Sequence, residues 1–182
     1  MKKSILLLTK TASVATFIIF LLCLTYSCQM PVEEGITMEE AQALVEKDQK
    51  IWNEGNMDMV DEIIAPDYVE HTANIPEDDV VGIEAFKERV TILRTFFPDF
   101  NVNVEELIVK DDRIVWRWIC SGTNTVTLTD IPPTGKKMQF EGVGILRVVD
   151  GKIVERVMYY NEAARLVQLG YTIAPPTIEV EE

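Results

Sequence analysis

Two periodicities divide the chain. From Thr37 to Phe97 apolar residues recur at helical spacing, and from Phe100 onward they alternate. Thr37-Met38-Glu39-Glu40 is a capping box. Behind it Ala41, Leu44, Val45, Ile51 and Trp52 share one helical face as far as Gly55, which stops the helix. Asn56 can cap a second, short helix carrying Val60, Ile63 and Ile64, ended by Pro66. Asp67 to Asn74 reads as a short extended piece, and the acidic, proline-bearing run Ile75 to Val81 as a loop. After Gly82, the residues Phe86, Val90, Leu93 and Phe97 are spaced as a core stripe on a third helix, which Pro98-Asp99 breaks.

The second half reads as sheet. Phe100, Val102 and Val104 alternate with polar partners, and Lys110-Asp111-Asp112-Arg113 makes a charged turn. Ile114, Trp116, Trp118 and Cys120 then lie on one strand face, with Val115, Arg117, Ile119 and Ser121 on the other. Ile131-Pro132-Pro133-Thr134-Gly135 has turn chemistry, since proline presets φ and glycine supplies φ > 0. Two long strands follow, joined at Asp150-Gly151, the strongest hairpin signal in the chain. Asn161 stands where an N-cap is wanted, and Gly170 follows the last apolar residue of a short closing helix. Long strands that are apolar on both faces predict a sheet covered on one side and enclosing something on the other. The expected fold class is α+β: helices first, then a curved, mostly antiparallel sheet of four to six strands, then the closing helix. The length of 182 residues suits one domain, placed at 37–171.

These same residues carry a likeness. PPTGK at 132–136, the spaced Gly142 and Gly144, DGKIVE at 150–155 and VQLG at 167–170 resemble the SnoaL-like polyketide (ester) cyclases. The likeness extends upstream through Gly122-Thr123, Phe97-Pro98-Asp99 and Asp67-Tyr68-Val69-Glu70-His71, so it covers roughly residues 38–170. It implies a nuclear-transport-factor-2-like cone with an apolar mouth and a few inward polar groups. It also implies a cofactor-free intramolecular aldol closure, in which an aspartate at the start of the last helix removes a proton α to a carbonyl and later returns one. Counted back from Gln168-Leu169-Gly170, that aspartate position falls on Asn161, an amide that has no proton to exchange at neutral pH. Two further departures are Val157, where the family usually has tryptophan, and Asn124, where its common Gly-Thr-His word reads Gly122-Thr123-Asn124.

The candidate site set is accordingly His71 and Asn161 for proton or hydrogen-bond work, with Trp52, Trp116, Trp118, Asn124, Glu141, Arg147, Val157 and Tyr159 as pocket positions. His71 is the sole imidazole and so the natural base near neutral pH, or else a partly buried histidine bonded to backbone. Glu141 is a solvated residue or a pocket carboxylate paired with Arg147, a pairing that would make it a poor base. The tryptophans are ligand walls or plain core.

Charge and cysteines add localisation. Met1-Lys2-Lys3, the apolar run Ala15 to Leu24, and Ser27 ahead of Cys28 resemble a lipoprotein signal over 1–27, followed by a tether over 28–36. Removing 1–27 takes away Lys2, Lys3 and Lys10 and no acid, so the formal charge moves from −13 to −16. Such a surface repels phosphate backbones and anionic headgroups, which excludes nucleic acid and leaves acyl chains on Cys28 as the membrane link. Cys120 is then the remaining thiol, and neither metal-ligand spacing nor a phosphate loop is present. The tail 172–182 is proline-bearing and acidic, hence loose.

The expected protein is thus an exported, lipid-anchored cone that needs no cofactor and binds a small apolar carbonyl compound, with a homodimer possible through its sheet. The alternatives are an active cyclase or isomerase using His71, or a non-catalytic interaction module.

Overall fold

A computed structural model describes residues 35–72, 79–127 and 132–174. The signal segment, Cys28 and the end of the acidic tail lie outside the described residues. The first helix, α1 (Met38–Glu54), opens on the capping box expected of Thr37 and Glu40, with Glu40 N–H donating to Thr37 Oγ1 at 3.2 Å and Thr37 N–H to Glu40 Oε2 at 2.9 Å. Gly55 closes it in the left-handed region at φ 73°. A 3-10 turn (Met57–Met59) leads into the one-turn helix α2 (Val60–Ile63). Asn56 makes no side-chain cap there, because the 3-10 turn intervenes before helical geometry begins.

Strand β1 (Ile64–Thr72) starts earlier than the sequence predicts and runs through Pro66. Its register jumps between Ile64 and Val69, and that irregularity accommodates a residue with no N–H for the ladder. Val80 and Val81 form the short strand β2 (Val80–Val81) where a loop is expected. Helix α3 (Gly82–Phe96) follows, burying Phe86, Val90 and Phe96. Then come β3 (Asn101–Lys110), β4 (Arg113–Thr123), β5 (Lys137–Val149), β6 (Lys152–Tyr160) and α4 (Glu162–Leu169).

The six strands form one curved, open sheet in the order β2-β1-β6-β5-β4-β3. All pairs are antiparallel except β1 with β6, which is parallel and is reached after the chain passes through β2, α3 and the strands β3 to β5. The predicted Asp150-Gly151 hairpin is present, with both residues at positive φ (51° and 74°) as its tight turn requires. The mixed α+β cone with four helices among the described residues agrees with the expected class.

Candidate functional site: the concave face of the cone

The helices pack on one face of the sheet, and alternation along the strands decides what looks inward. From β4 the buried set is Ile114, Trp116, Trp118 and Cys120. Register places Trp116 opposite Gly144 and Trp118 opposite Gly142. A Cβ at either glycine would collide with the facing indole ring. The two glycines let the tryptophans lie down across β5, giving the concave face an aromatic floor. Trp118 continues into Phe140 (centroids 5.6 Å) and Tyr160 (6.1 Å).

The neighbouring strands carry polar groups onto that face. Tyr68, Glu70 and Thr72 of β1 are buried, as is Arg156 of β6, which lies opposite Glu70 in the parallel pair. Arg156 Nη2 donates to Asp48 Oδ1 of α1 at 2.6 Å. Its Cζ sits 5.7 Å from the centroid of Trp52, 5.4 Å from Phe86 and 5.7 Å from Trp116. Burial works against the guanidinium charge, but the fields of Asp48, Tyr68 and Glu70 outweigh it and hold the group protonated more firmly than usual. The Tyr68 hydroxyl donates to Glu70 Oε2 at 2.8 Å, and Arg89 Nε of α3 lies 3.5 Å from Glu70 Oε1. Burial pushes the Tyr68 hydroxyl pKa well up, so it stays a donor.

Three buried polar atoms on this face have no hydrogen-bond partner among the described residues: Thr72 Oγ1, Trp118 Nε1 and Arg156 Nε. Leaving such an atom without a partner costs about 1–3 kcal/mol, so each is a point where an ordered water or a bound molecule would be stabilising.

Where β6 passes into α4, a solvent-open hollow of about 610 Å³ is lined by Tyr159, Tyr160, Asn161, Glu162 and Ala163. Burial, then the charge of Glu162, raises the Tyr160 hydroxyl pKa. Asn161 caps α4, its Oδ1 accepting Ala164 N–H at 3.0 Å. Gln168 anchors that helix to β5 by accepting Gln139 N–H at 2.8 Å. Asn124 is buried, and its Oδ1 accepts Thr134 N–H at 2.7 Å, so it pins the Pro132–Lys136 turn.

The remaining predicted positions stand elsewhere. His71 falls between Glu70 and Thr72, so its ring projects to the outer face, where Nδ1 meets Asp79 Oδ2 at 2.8 Å. Val157 is its outer-face register partner on β6. Glu141 pairs with Arg117 at 3.6 Å and not with Arg147, which binds Glu155 at 3.1 Å. Both pairs lie on the outer face, as does the half-exposed Tyr159 ring. Trp52, Trp116 and Trp118 are the pocket positions that do meet on the concave side, Trp52 by packing edge-on against Phe86 at 5.4 Å.

Sequence reasoning missed Asp48, Glu70, Thr72 and Arg156. The signals existed: Asp48 falls within the α1 apolar stripe, and Tyr68, Glu70 and Thr72 alternate. Charged residues in such places read as solvated until a register puts them opposite each other.

Comparison with known proteins fits this geometry. A sequence profile of the SnoaL-like polyketide cyclases matches residues 42–169. Nogalonic acid methyl ester cyclase of Streptomyces nogalater is 31% identical over 122 residues, spanning 65% of this chain and 89% of that protein. Aklanonic acid methyl ester cyclase DauD of Streptomyces sp. strain C5 is 29% identical over 132 residues, spanning 70% of this chain and 80% of that one. Among solved structures, wild-type IdmH of Streptomyces antibioticus superposes with a TM-score of 0.63 at 26% identity, covering 71% of this chain and 98% of IdmH. TsrD of Streptomyces laurentii shares the fold with a TM-score of 0.66 at 21% identity, covering 74% of this chain and 98% of TsrD. The chain therefore belongs to the SnoaL-like polyketide cyclase family, on a nuclear-transport-factor-2-like fold.

Proposed function

We propose that this protein holds a small, mainly apolar, carbonyl-bearing molecule in its cone, and that acyl chains on Cys28 keep it at the cell envelope. The observation that carries the binding reading is the pair of orphaned donors, Thr72 Oγ1 and Trp118 Nε1, buried beside an aromatic floor. Aromatic walls suit a flat apolar body, and two buried donors suit one or two ligand oxygens. The methyl esters for which the related Streptomyces cyclases are named carry a carbonyl of the kind such donors would hold.

Nogalonic acid methyl ester is the first probe to titrate against intrinsic tryptophan fluorescence. Saturable quenching that weakens in Thr72→Val supports the reading. An unchanged spectrum throughout the titration overturns it and leaves an interaction module. The anchor is tested separately by labelling cells with an alkynyl fatty acid: the label should disappear in Cys28→Ala, and persistence would remove the lipoprotein assignment. A cyclase driven by His71 is the weaker reading, because the imidazole is on the outer face with Asp79.

A further inference from the structure

We propose that Asn53 seals the free edge of the sheet against strand pairing with a second copy of this chain. The role is independent of what the cone binds.

A sheet that does not close on itself ends in two edge strands, each with a row of backbone N–H and C=O groups that can template another strand. Here the edges are β2 and β3. Strand β2 is two residues long, too short to recruit a partner. Strand β3 runs for ten residues and pairs on one side only, with β4. Its first four residues, Asn101-Val102-Asn103-Val104, are uncharged and half of them β-branched, so the same segment of a second copy could lie against them without charge conflict.

Three contacts close that edge. At its start Asn53, in the last turn of α1, applies its side-chain amide to Val102 as a neighbouring strand would. Val102 N–H donates to Asn53 Oδ1 at 2.7 Å, and Asn53 Nδ2 donates to Val102 O at 2.9 Å, so both backbone groups are engaged. Gln49, one turn earlier, donates to the same carbonyl at 3.3 Å. Arg94 of α3 fixes the clamp from behind, donating to the backbone carbonyls of Trp52 and Asn53. In mid-strand the register slips between Val104 and Glu106, a bulge that interrupts the edge and sets the charge of Glu105 there. At the far end Ile36 N–H donates to Asp111 O at 2.9 Å, and a Cβ on Gly35 would stand 2.5 Å from that oxygen, so the incoming chain covers the β3–β4 turn. The bulge and the turn contact are made by backbone. The seal at Val102 is made by side chains, and replacing Asn53 frees one N–H and one C=O on the uncharged segment.

Full-length wild type, Asn53→Ala and Asn53→Asp test this by sedimentation velocity over a range of concentrations, by the infrared amide band of intermolecular strands, and by thermal midpoint. Alanine removes both amide bonds. Aspartate still accepts Val102 N–H but turns a charged oxygen toward the Val102 carbonyl, so it loosens the clamp while leaving a charge on the edge. The expected result is a lowered midpoint in both variants, with association in Asn53→Ala alone: a mass about twofold or more above wild type that grows with concentration, together with the intermolecular band. Asn53→Ala that loses stability yet keeps the wild-type mass at every concentration overturns the proposal. Equal association by both variants overturns it as well, because association would then follow instability and not the opened edge. If Asn53→Ala does not fold, Asn53→Ser takes its place, since the hydroxyl is too short to span the Val102 N–H and C=O, and the same outcomes decide.

Discussion

The Asp48 carboxylate and the Arg156 guanidinium meet at 2.6 Å across 108 residues of sequence, joining the first helix to the last strand inside a ring of Trp52, Phe86 and Trp116. Both side chains are buried, so each is the other's main compensation for lost water. Replacing Asp48 with alanine should cost about 3–5 kcal/mol, because it strands a buried cation. A combined Asp48→Leu, Arg156→Met variant should lose far less. Urea unfolding of the two proteins checks this, and equal losses would show that the pair is not the source of the cost.

Gly142 and Gly144 make room for the two indoles. Gly144→Ala should push the Trp116 ring off β5 at a cost of about 1–3 kcal/mol, and Gly142→Ala should do the same to Trp118. The displaced ring should show a red-shifted emission maximum and, for Gly142→Ala, weaker binding of the ester probe. Alanine at either position with an unchanged near-ultraviolet circular dichroism spectrum would contradict the packing described.

Asp99 ties α3's exit to the end of β4: its carboxylate accepts Thr123 N–H at 2.6 Å and Thr123 Oγ1–H at 2.7 Å. Those two bonds, the backbone one foremost, hold its pKa below the ordinary value. A folded pKa below the unfolded one adds stability that is fully present above the unfolded value, near pH 3.9, and is lost as pH falls through the lowered one. Urea midpoints measured from pH 5 down to pH 2 should therefore fall less steeply in Asp99→Asn than in wild type. Parallel curves would count against the assignment.

Burial pushes the Cys120 thiol up to about 12, so it stays protonated and unreactive at neutral pH in the folded protein. Alkylation of the Cys120 peptide, followed by mass spectrometry, should be slow in buffer and fast in urea. Rapid labelling under native conditions would mean the α4 end of the cone opens readily.

Asn161 serves the cap only through Oδ1, which accepts Ala164 N–H, and an aspartate oxygen can accept it as well. Asn161→Ala should lower stability by about 1 kcal/mol, whereas Asn161→Asp should hold or raise it, since a negative charge at a helix N-terminus is favourable. Thermal melts of the three proteins at neutral pH decide the order.

Local rules were enough for much of this architecture. The capping box at Thr37, the stop at Gly55, the turn at Asp150-Gly151 and the caps of α4 are all set within a few residues of chain. Alternation likewise put Trp116 and Trp118 on one face before any partner strand was known, and the ordered words from Asp67 to Gly170 placed the family. The inward and outward sides of β1 and β6 were another matter. His71 and Glu70 are adjacent, and a strand turns one in and the other out, but nothing local says which. That choice was made when α1 brought Asp48 over Arg156 and the parallel β1–β6 register set Glu70 beside it. Burying three charged groups at once is favourable only when they find one another, and pairing at a separation of 108 residues is a property of the folded chain.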